Sequence, residues 1–407
     1  MHRRAFLKAG GTAAVGLALS ACASRRPASV VAAPARRRRL VNLVPVDCSM
    51  DRIIRTTVGL RPHRDSGFLL KAEAFGEKTV IHNFGHGGAG VSLSWGTASL
   101  AADLAVAHAE RRVAVIGCGI VGLTSARELQ RRGFEVAIYT MAVPPQTTSN
   151  VSWAGFTPTS GLVLGSRRTP EWDDQFRRAV QIAYREHQLL VGPRYGVSWI
   201  NEYAPRDTVP TTPGPAPAQS GGSSPLLPAS VRLGWTVLEP GEHPFATKYA
   251  IERPALRFEP SIYLDALMRD VLTFGGRIVI RRFDEVRDLM TLSEPIIVNC
   301  TGLGAKALFG DEELVPIKGQ LTMLVPQPDV TYIVAGMMPR SDGIALGSTN
   351  ERDVWTLEVD EDAQRRVVEE HKQIFDSMRG PMAGIPVARV AAPVVAPPLE
   401  SFFGRES

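Results

Sequence analysis

Residues 111–140 read RRVAVIGCGIVGLTSARELQRRGFEVAIYT. The apolar run from Val113 to Ile116 stops at Gly117. Ile120, Leu123 and Ala126 to Leu129 then recur at helical spacing, Gly133 ends the helix, and Val136 to Tyr139 form a second strand. Gly117, Gly119 and Gly122 make G-x-G-x-x-G between strand and helix. Gly117 permits the tight turn, Gly119 lets a pyrophosphate approach the backbone, and Gly122 allows close helix packing. The helix start at Ile120 and Val121 offers unpaired N–H groups and roughly half a positive charge to phosphates. The pattern predicts dinucleotide binding. One expected part is missing: the second strand should end in an acidic residue for the ribose hydroxyls, and IYTMAVPP offers Thr140 and Met141 instead. Either a hydroxyl or backbone group replaces it, or cofactor affinity is reduced.

A chain of 407 residues, 44% hydrophobic and 21% charged, can bury a full core and holds two domains. The net charge of +5 is concentrated in Arg3, Arg4, Arg25, Arg26 and the run Arg36 to Arg39. Without those flanks the body is nearly neutral, which argues against a nucleic-acid partner. The N-terminus, MHRRAFLKAGGTAAVGLALSACAS, has the pattern of a twin-arginine export signal. Leu19-Ser20-Ala21-Cys22 resembles a lipobox, with Cys22 as the lipidated first mature residue; the alternative is an ordinary cleaved signal. The apolar run is too short for a spanning helix. The expected location is periplasmic or at the cell surface, touching the membrane only through a lipid anchor at Cys22. Cys48, Cys118 and Cys300 show neither a disulfide framework nor metal-ligand spacing, so no metal is expected.

Elsewhere, residues 172–195 look helical and amphipathic, 205–230 are a Pro-, Gly- and Ser-rich surface excursion, and 360–378 form a charged helix. PIIVNCTGLGAKAL (295–308) is another strand-to-turn unit. A second glycine-rich stretch, IHNFGHGGAGVSLSWG (81–96), precedes the first. Its glycines imply a sharp turn or close approach to something flat or charged.

Past the second strand comes PPQTTSNVSWAGFTPTS, with Thr147, Thr148, Ser149 and Gly155. With GGRIVIRRFDEV, PIIVNCTGLGAKAL, IKGQLTMLV, IALGSTNERDVW, VGLRPHRDSG (58–67) and VIHNFGHGGAGVSLSWG (80–96), the chain resembles the D-amino-acid oxidase family across most of residues 56–378. The resemblance implies an α/β fold: a Rossmann-like FAD-binding domain with a second α+β substrate domain. In that family the GLRP and GHGG segments close the chain, whereas here they come first, so the sequence looks circularly permuted. The Ala-rich segment 97–110 would be the helix leading into the first strand, with Arg111-Arg112 as the joint. The expected layout is 1–22 export signal, 23–55 tether and linker, and 56–110 anchor strand, GHGG loop and helix. It continues with 111–165 FAD-binding βαβ, 166–290 mainly substrate domain, 291–310 return strand, 311–378 substrate domain and 379–407 loose tail.

For the site, the resemblance implies that Arg61 binds a substrate α-carboxylate, through two charge-assisted hydrogen bonds, and that Gly88 offers its carbonyl to the substrate amine. Arg64 is the weaker candidate, more in keeping with a structural role. Tyr249 is the nearest match to a tyrosine covering the substrate. Cofactor contacts are expected from Gly117, Gly119, Ile120, Val121, Gly122, Thr147, Thr148, Ser149, Gly155, Phe283 and Gly302, and from Gly87, Gly88, Gly90, Val91 and Ser92. His86 has a base-like appearance, but the family needs no side-chain base, which favours a structural role. Tyr263 is expected in the core. The implied activity is FAD-dependent oxidation of a D-amino acid to the 2-oxo acid, ammonia and hydrogen peroxide, with oxygen as acceptor. The alternatives are a glycine- or sarcosine-type amine oxidase or dehydrogenase, and a flavin-binding lipoprotein without turnover.

Overall fold

A computed structural model describes residues 39–209 and 226–379. The export signal, most of the tether, the centre of the proline-rich excursion and the tail after Arg379 lie outside the described residues. Among those described, no helix is long and apolar enough to cross a membrane.

The opening stretch folds as its pattern predicts: β4 (Arg112–Ile116), α2 (Ile120–Arg131) and β5 (Glu135–Thr140). They sit inside a six-stranded sheet with β2 (Leu69–Phe75), β3 (Lys78–Phe84), β9 (Arg277–Ile280) and β10 (Ile296–Asn299), in the order β2-β3-β10-β4-β5-β9. All neighbours run parallel except the edge strand β2. Val113 and Val115 face one hydrophobic cluster while Ala114 and Ile116 face another. Burial on both faces explains why the strand reads as an unbroken apolar run. The first face is covered by α1 (Gly90–Val106), α2, α3 (Pro170–Leu189) and α4 (Pro260–Thr273). The second carries α5 (Val286–Met290) and α6 (Gly304–Phe309).

The chain passes from β3 through the GHGG loop into α1 and then into β4, with β10 inserted between the two strands. The helix begins at Gly90, earlier than its alanine-rich half suggests, and stops at Val106. The joint is therefore the mostly exposed connection 107–111, and Arg112 already belongs to the strand.

Two further sheets form the rest. One pairs β1 (Ile53–His63) with β11 (Val315–Leu324), then β14 (Gly343–Gly347) and β13 (Met338–Arg340), with β15 (Glu351–Arg352) also on β11. The other runs in the order β12 (Tyr332–Val334), β6 (Val197–Arg206), β8 (Tyr249–Phe258) and β7 (Thr236–Leu238). The charged helix is α7 (Glu361–Asp376), capped by the Asp360 carboxylate, which accepts from the Asp362 and Ala363 amides. Segment 56–110 thus divides: its first strand joins the β1–β11 sheet, and the remainder joins the six-stranded sheet.

Candidate active site

The G-x-G-x-x-G glycines are required by close approach. Gly117 has φ +110°, and a Cβ there would lie 2.6 Å from the Cys300 carbonyl oxygen. A Cβ on Gly122 would lie 2.0 Å from the Gly117 carbonyl oxygen, so α2 packs directly on its own loop. Gly119 is the N-cap, and the next amide, Ile120, donates to Ser149 Oγ at 3.0 Å. The Thr147–Ser149 hydroxyl run therefore crosses the start of α2. Thr147 Oγ1 donates to Asn150 Oδ1 at 2.8 Å, and Thr148 faces Gly59 of β1.

The GHGG loop arrives at the same place. Gly90 opens α1, and a Cβ on it would lie 3.9 Å from Ile120 Cγ2. Two helix N-termini therefore converge, neither with an acidic residue in its first turn nor a side-chain bond from its own N-cap residue. Their combined positive ends suit an anion such as a pyrophosphate. Beside them Val91, Ile120, Ser149, Ser152, Ala154, Phe258 and Tyr263 line a small, mostly apolar hollow. Ser92 Oγ accepts from the Thr157 amide at 2.7 Å and donates to the Gly155 carbonyl at 3.3 Å, tying α1 to the strand-to-turn segment. Gly302, φ +57°, ends the β10 turn against Pro62. At the ribose end Met141 is 74% exposed, and Thr140 Oγ1 is bound to the Ala142 carbonyl. Among the described residues, no carboxylate is hydrogen-bonded to Thr140 or Ala142 at that strand end. Phe283 packs edge-to-face on Tyr139 at 6.0 Å, and the Arg281 amide donates to the Thr140 carbonyl. Residues 281–283 thus run beside the end of β5.

Gly87 and Gly88 press against a neighbour that sequence reasoning missed. Cβ atoms there would lie 1.9 Å from the Gly161 carbonyl oxygen and 2.8 Å from that of Ser160. Ring stacking on Phe68 and a 3.0 Å contact to Thr97 Oγ1 fix His86, and burial pushes its pKa down to about 3. It stays neutral and structural. Tyr263 is core: its hydroxyl accepts from Trp95 Nε1 at 2.8 Å and faces His187 Nδ1.

β1 meets this site along its second half. Gly59 lies under Val151, Pro62 meets Gly302, and His63 bridges His86. Between them, on the same face as Gly59, stands Arg61. Its Nη1 donates to Asn350 Oδ1 and its Nη2 to the Thr349 carbonyl. Burial lowers its pKa, and no carboxylate among the described residues pairs with it. A Cβ on Gly319 would lie 2.1 Å from Nη2 and 2.9 Å from Cζ, so the guanidinium rests flat on the β11 backbone. Arg64 is different: it pairs with Asp311 at 2.9 Å and Glu313 at 2.7 Å and is structural.

Tyr249 does not join the group. It opens β8 opposite Arg206, with Lys248 Nζ over its ring, whereas Arg257, eight residues on, is the residue that meets Gly155. Eight strand residues span about 26 Å, so Tyr249 sits at the wrong end of its strand. The aromatic residue in place is Trp153. Its ring packs on Gly155, its Nε1 donates to the Gly336 carbonyl at 2.8 Å, and its Cδ1 lies 3.8 Å from where a Gly347 Cβ would be. Its position between Ser149 and Gly155 was the available signal.

A doubly wound sheet with converging helix termini, joined to a β-sheet carrying a guanidinium with no carboxylate partner among the described residues, defines a dinucleotide-dependent enzyme. The family described as FAD dependent oxidoreductase matches residues 3–104 and 112–399, and the chain belongs to that family. It is an FAD-dependent oxidoreductase with a D-amino-acid-oxidase-like fold. Curated relatives include D-amino-acid oxidase of Rubrobacter xylanophilus, 29% identical over 292 residues, covering 66% of this chain and 78% of the relative. D-amino acid oxidase of Dugesia ryukyuensis is 27% identical, covering 65% and 78%. Human D-aspartate oxidase is 25% identical, covering 66% and 77%. Among solved structures, glycine oxidase from Geobacillus kaustophilus aligns with a TM-score of 0.47 and 15% identity, over 67% of this chain and 81% of that one.

Proposed function

We propose that the chain oxidises D-amino acids, with the substrate α-carboxylate bound by Arg61. The observation carrying this reading is that half-buried, carboxylate-free guanidinium, laid on Gly319 beside the flavin-site loops. A desolvated cation without a counter-charge is costly, and an arriving carboxylate offsets that cost. Bound FAD supplies two-electron oxidation of the carbon–nitrogen bond and returns the electrons to oxygen. Net, a D-amino acid, oxygen and water give a 2-oxo acid, ammonia and hydrogen peroxide.

The chain's own residues bind and orient. Gly117, Gly119, Ile120, Val121 and Gly122 would hold the pyrophosphate, and Thr147–Ser149, Gly155, Phe283 and Gly302 the remainder. Gly87, Gly90, Val91 and Ser92 bring N–H donors to where negative charge collects. The Gly88 carbonyl accepts from the substrate amine. Trp153 packs between Gly155 and the Gly336 and Gly347 backbone, and no side-chain base is required, in keeping with neutral His86.

The permuted order is part of this proposal. It is supported by the family match in two segments flanking the α1–β4 joint, and by β3 lying beside β10 in the same sheet. Export and lipidation at Cys22 rest on the sequence pattern alone.

The test is oxygen uptake and anaerobic flavin bleaching by FAD-loaded protein against D-amino acids, their L-enantiomers, glycine and sarcosine. D-amino acids should lead. Arg61→Ala should lower kcat/KM by about two orders of magnitude or more, two charge-assisted bonds at roughly 1.5 kcal/mol each, at unchanged FAD content. Preference for glycine or sarcosine would replace this reading with the amine-oxidase one. Bleaching by none of them would leave a flavoprotein without turnover.

A further inference from the structure

We infer that Asn350 is a positioning residue for Arg61, one that fixes the guanidinium without neutralising it. The inference rests on the oxidase reading above and goes beyond it. Chain 348–350 leaves β14 and passes directly over the anchor strand. Thr349 is pinned there from below: its Oγ1 accepts from the Gln320 amide at 3.1 Å. The Gln320 side chain is held in turn, Nε2 donating to the Asp360 carbonyl and Oε1 accepting from the Asp360 amide, each at 2.8 Å. That clamp aims the Thr349 carbonyl at Nη2 while Asn350 Oδ1 takes Nη1.

A guanidinium has five N–H donors, so these two acceptors leave three for a ligand. Gly319 closes one face of the group, and Thr349 and Asn350 hold its edge. Both acceptors are neutral. Neither offsets the guanidinium's charge, so an arriving carboxylate gains a charge–charge attraction that they do not supply. An aspartate at 350 would instead give Arg61 an internal partner. Of the neighbouring carboxylates, Asp65 is already engaged by Arg352 at 2.9 Å and His63 at 3.0 Å, and Glu351, next to Asn350, makes no ion pair with Arg61. Residue 350 thus decides whether the anchor is open. Its side chain is exposed, so substitution leaves the fold intact.

The experiment titrates FAD-loaded wild type, Asn350→Asp and Asn350→Ala with acetate, followed by calorimetry and the visible flavin band. The substrate found best for wild type is then used in anaerobic reduction. For Asn350→Asp, the acetate Kd and the substrate KM should rise roughly tenfold or more, the scale of one charge-assisted bond. Reduction at saturating substrate should stay within about twofold of wild type. Asn350→Ala, which removes a tether but adds no charge, should weaken acetate only a few-fold. FAD content and melting temperature should be unchanged in both, which a merely structural role would not give. Acetate binding by Asn350→Asp as tight as wild type overturns the role of Asn350 and leaves the oxidase reading standing. Wild type that neither binds acetate nor is reduced by any amino acid defeats the reading itself.

Discussion

His86 shows how burial decides a residue that sequence leaves open. In GHGG it stands where a base would be welcome, yet its ring is stacked and enclosed, and burial holds its pKa near 3. His187, also enclosed, is held to about 4, and burial lowers His82, His243 and His371 as well. All five bind protons more readily in the unfolded chain, whose histidines titrate near the ordinary 6.5. Their contribution is complete above that pH and is lost as the pH falls toward the folded values. Urea unfolding at pH 7.5, 6.0 and 5.0 should therefore show stability declining monotonically, by a few kcal/mol in all, before most carboxylates titrate. A His86→Gln variant should decline less steeply, by at most about 1.4 kcal/mol per pH unit. A flat profile would contradict the buried-neutral assignment. Arg61 and Arg64 were separable in sequence only through the family resemblance. The difference lies in their carboxylate partners: none among the described residues for Arg61, and for Arg64 Asp311 with Glu313, from the loop before β11, some 250 residues away.

At the scale of elements, the βαβ unit was legible because its signals are local: period, glycine stop, apolar strand. Glycine spacing likewise announced the loops. Their partners were not legible, since the Ser160–Gly161 backbone against Gly87 and Gly88, and the Thr349–Asn350 strap over Arg61, are contacts of tertiary structure. Tyr249 failed for a similar reason: a strand's pattern says which face a residue takes but not which end approaches the cofactor. The glycine roles can be tested one against another. Gly122→Ala places a methyl 2.0 Å from a backbone oxygen that cannot move without opening the loop. It should cost about 1–3 kcal/mol of stability and lower the FAD-to-protein ratio. Gly234→Ala, with nothing within 4 Å of the added carbon, should change neither. Absorbance at the flavin band against protein, with a melting curve for each, separates the two; full FAD occupancy in Gly122→Ala would contradict the pyrophosphate role.

For the whole molecule, the early placement of GLRP and GHGG was legible only against a family order, and the geometry supplies the physical reason it can work. α1 must start at the cofactor end of the sheet and finish at the other, where parallel strands begin, so it delivers the chain to β4 across a short exposed connection. Leu43, Val46 and Cys48, leading to β1, share one core with Val368, Phe375 and Met378 of the α7 region. Cys48 Sγ lies 3.5 Å from the Val368 carbonyl, and Tyr332 Oη donates to the Val44 carbonyl at 2.8 Å. The segment before β1 and the final described helix are therefore packed neighbours. Opening the chain between 107 and 111 and joining residue 379 to residue 40 by a flexible Gly/Ser linker should yield a protein with β4 first and α1 last. Loop breaks of this kind preserve packing and add only loop-closure entropy, about 0.6 kcal/mol per doubling of length. The rearranged protein should bind FAD at the wild-type ratio, melt within a few degrees of wild type, and bind acetate with the same Kd. A chain that folds yet loses FAD would show that the α1–β4 connection itself builds the site, and that the present order is more than a relocation of the ends.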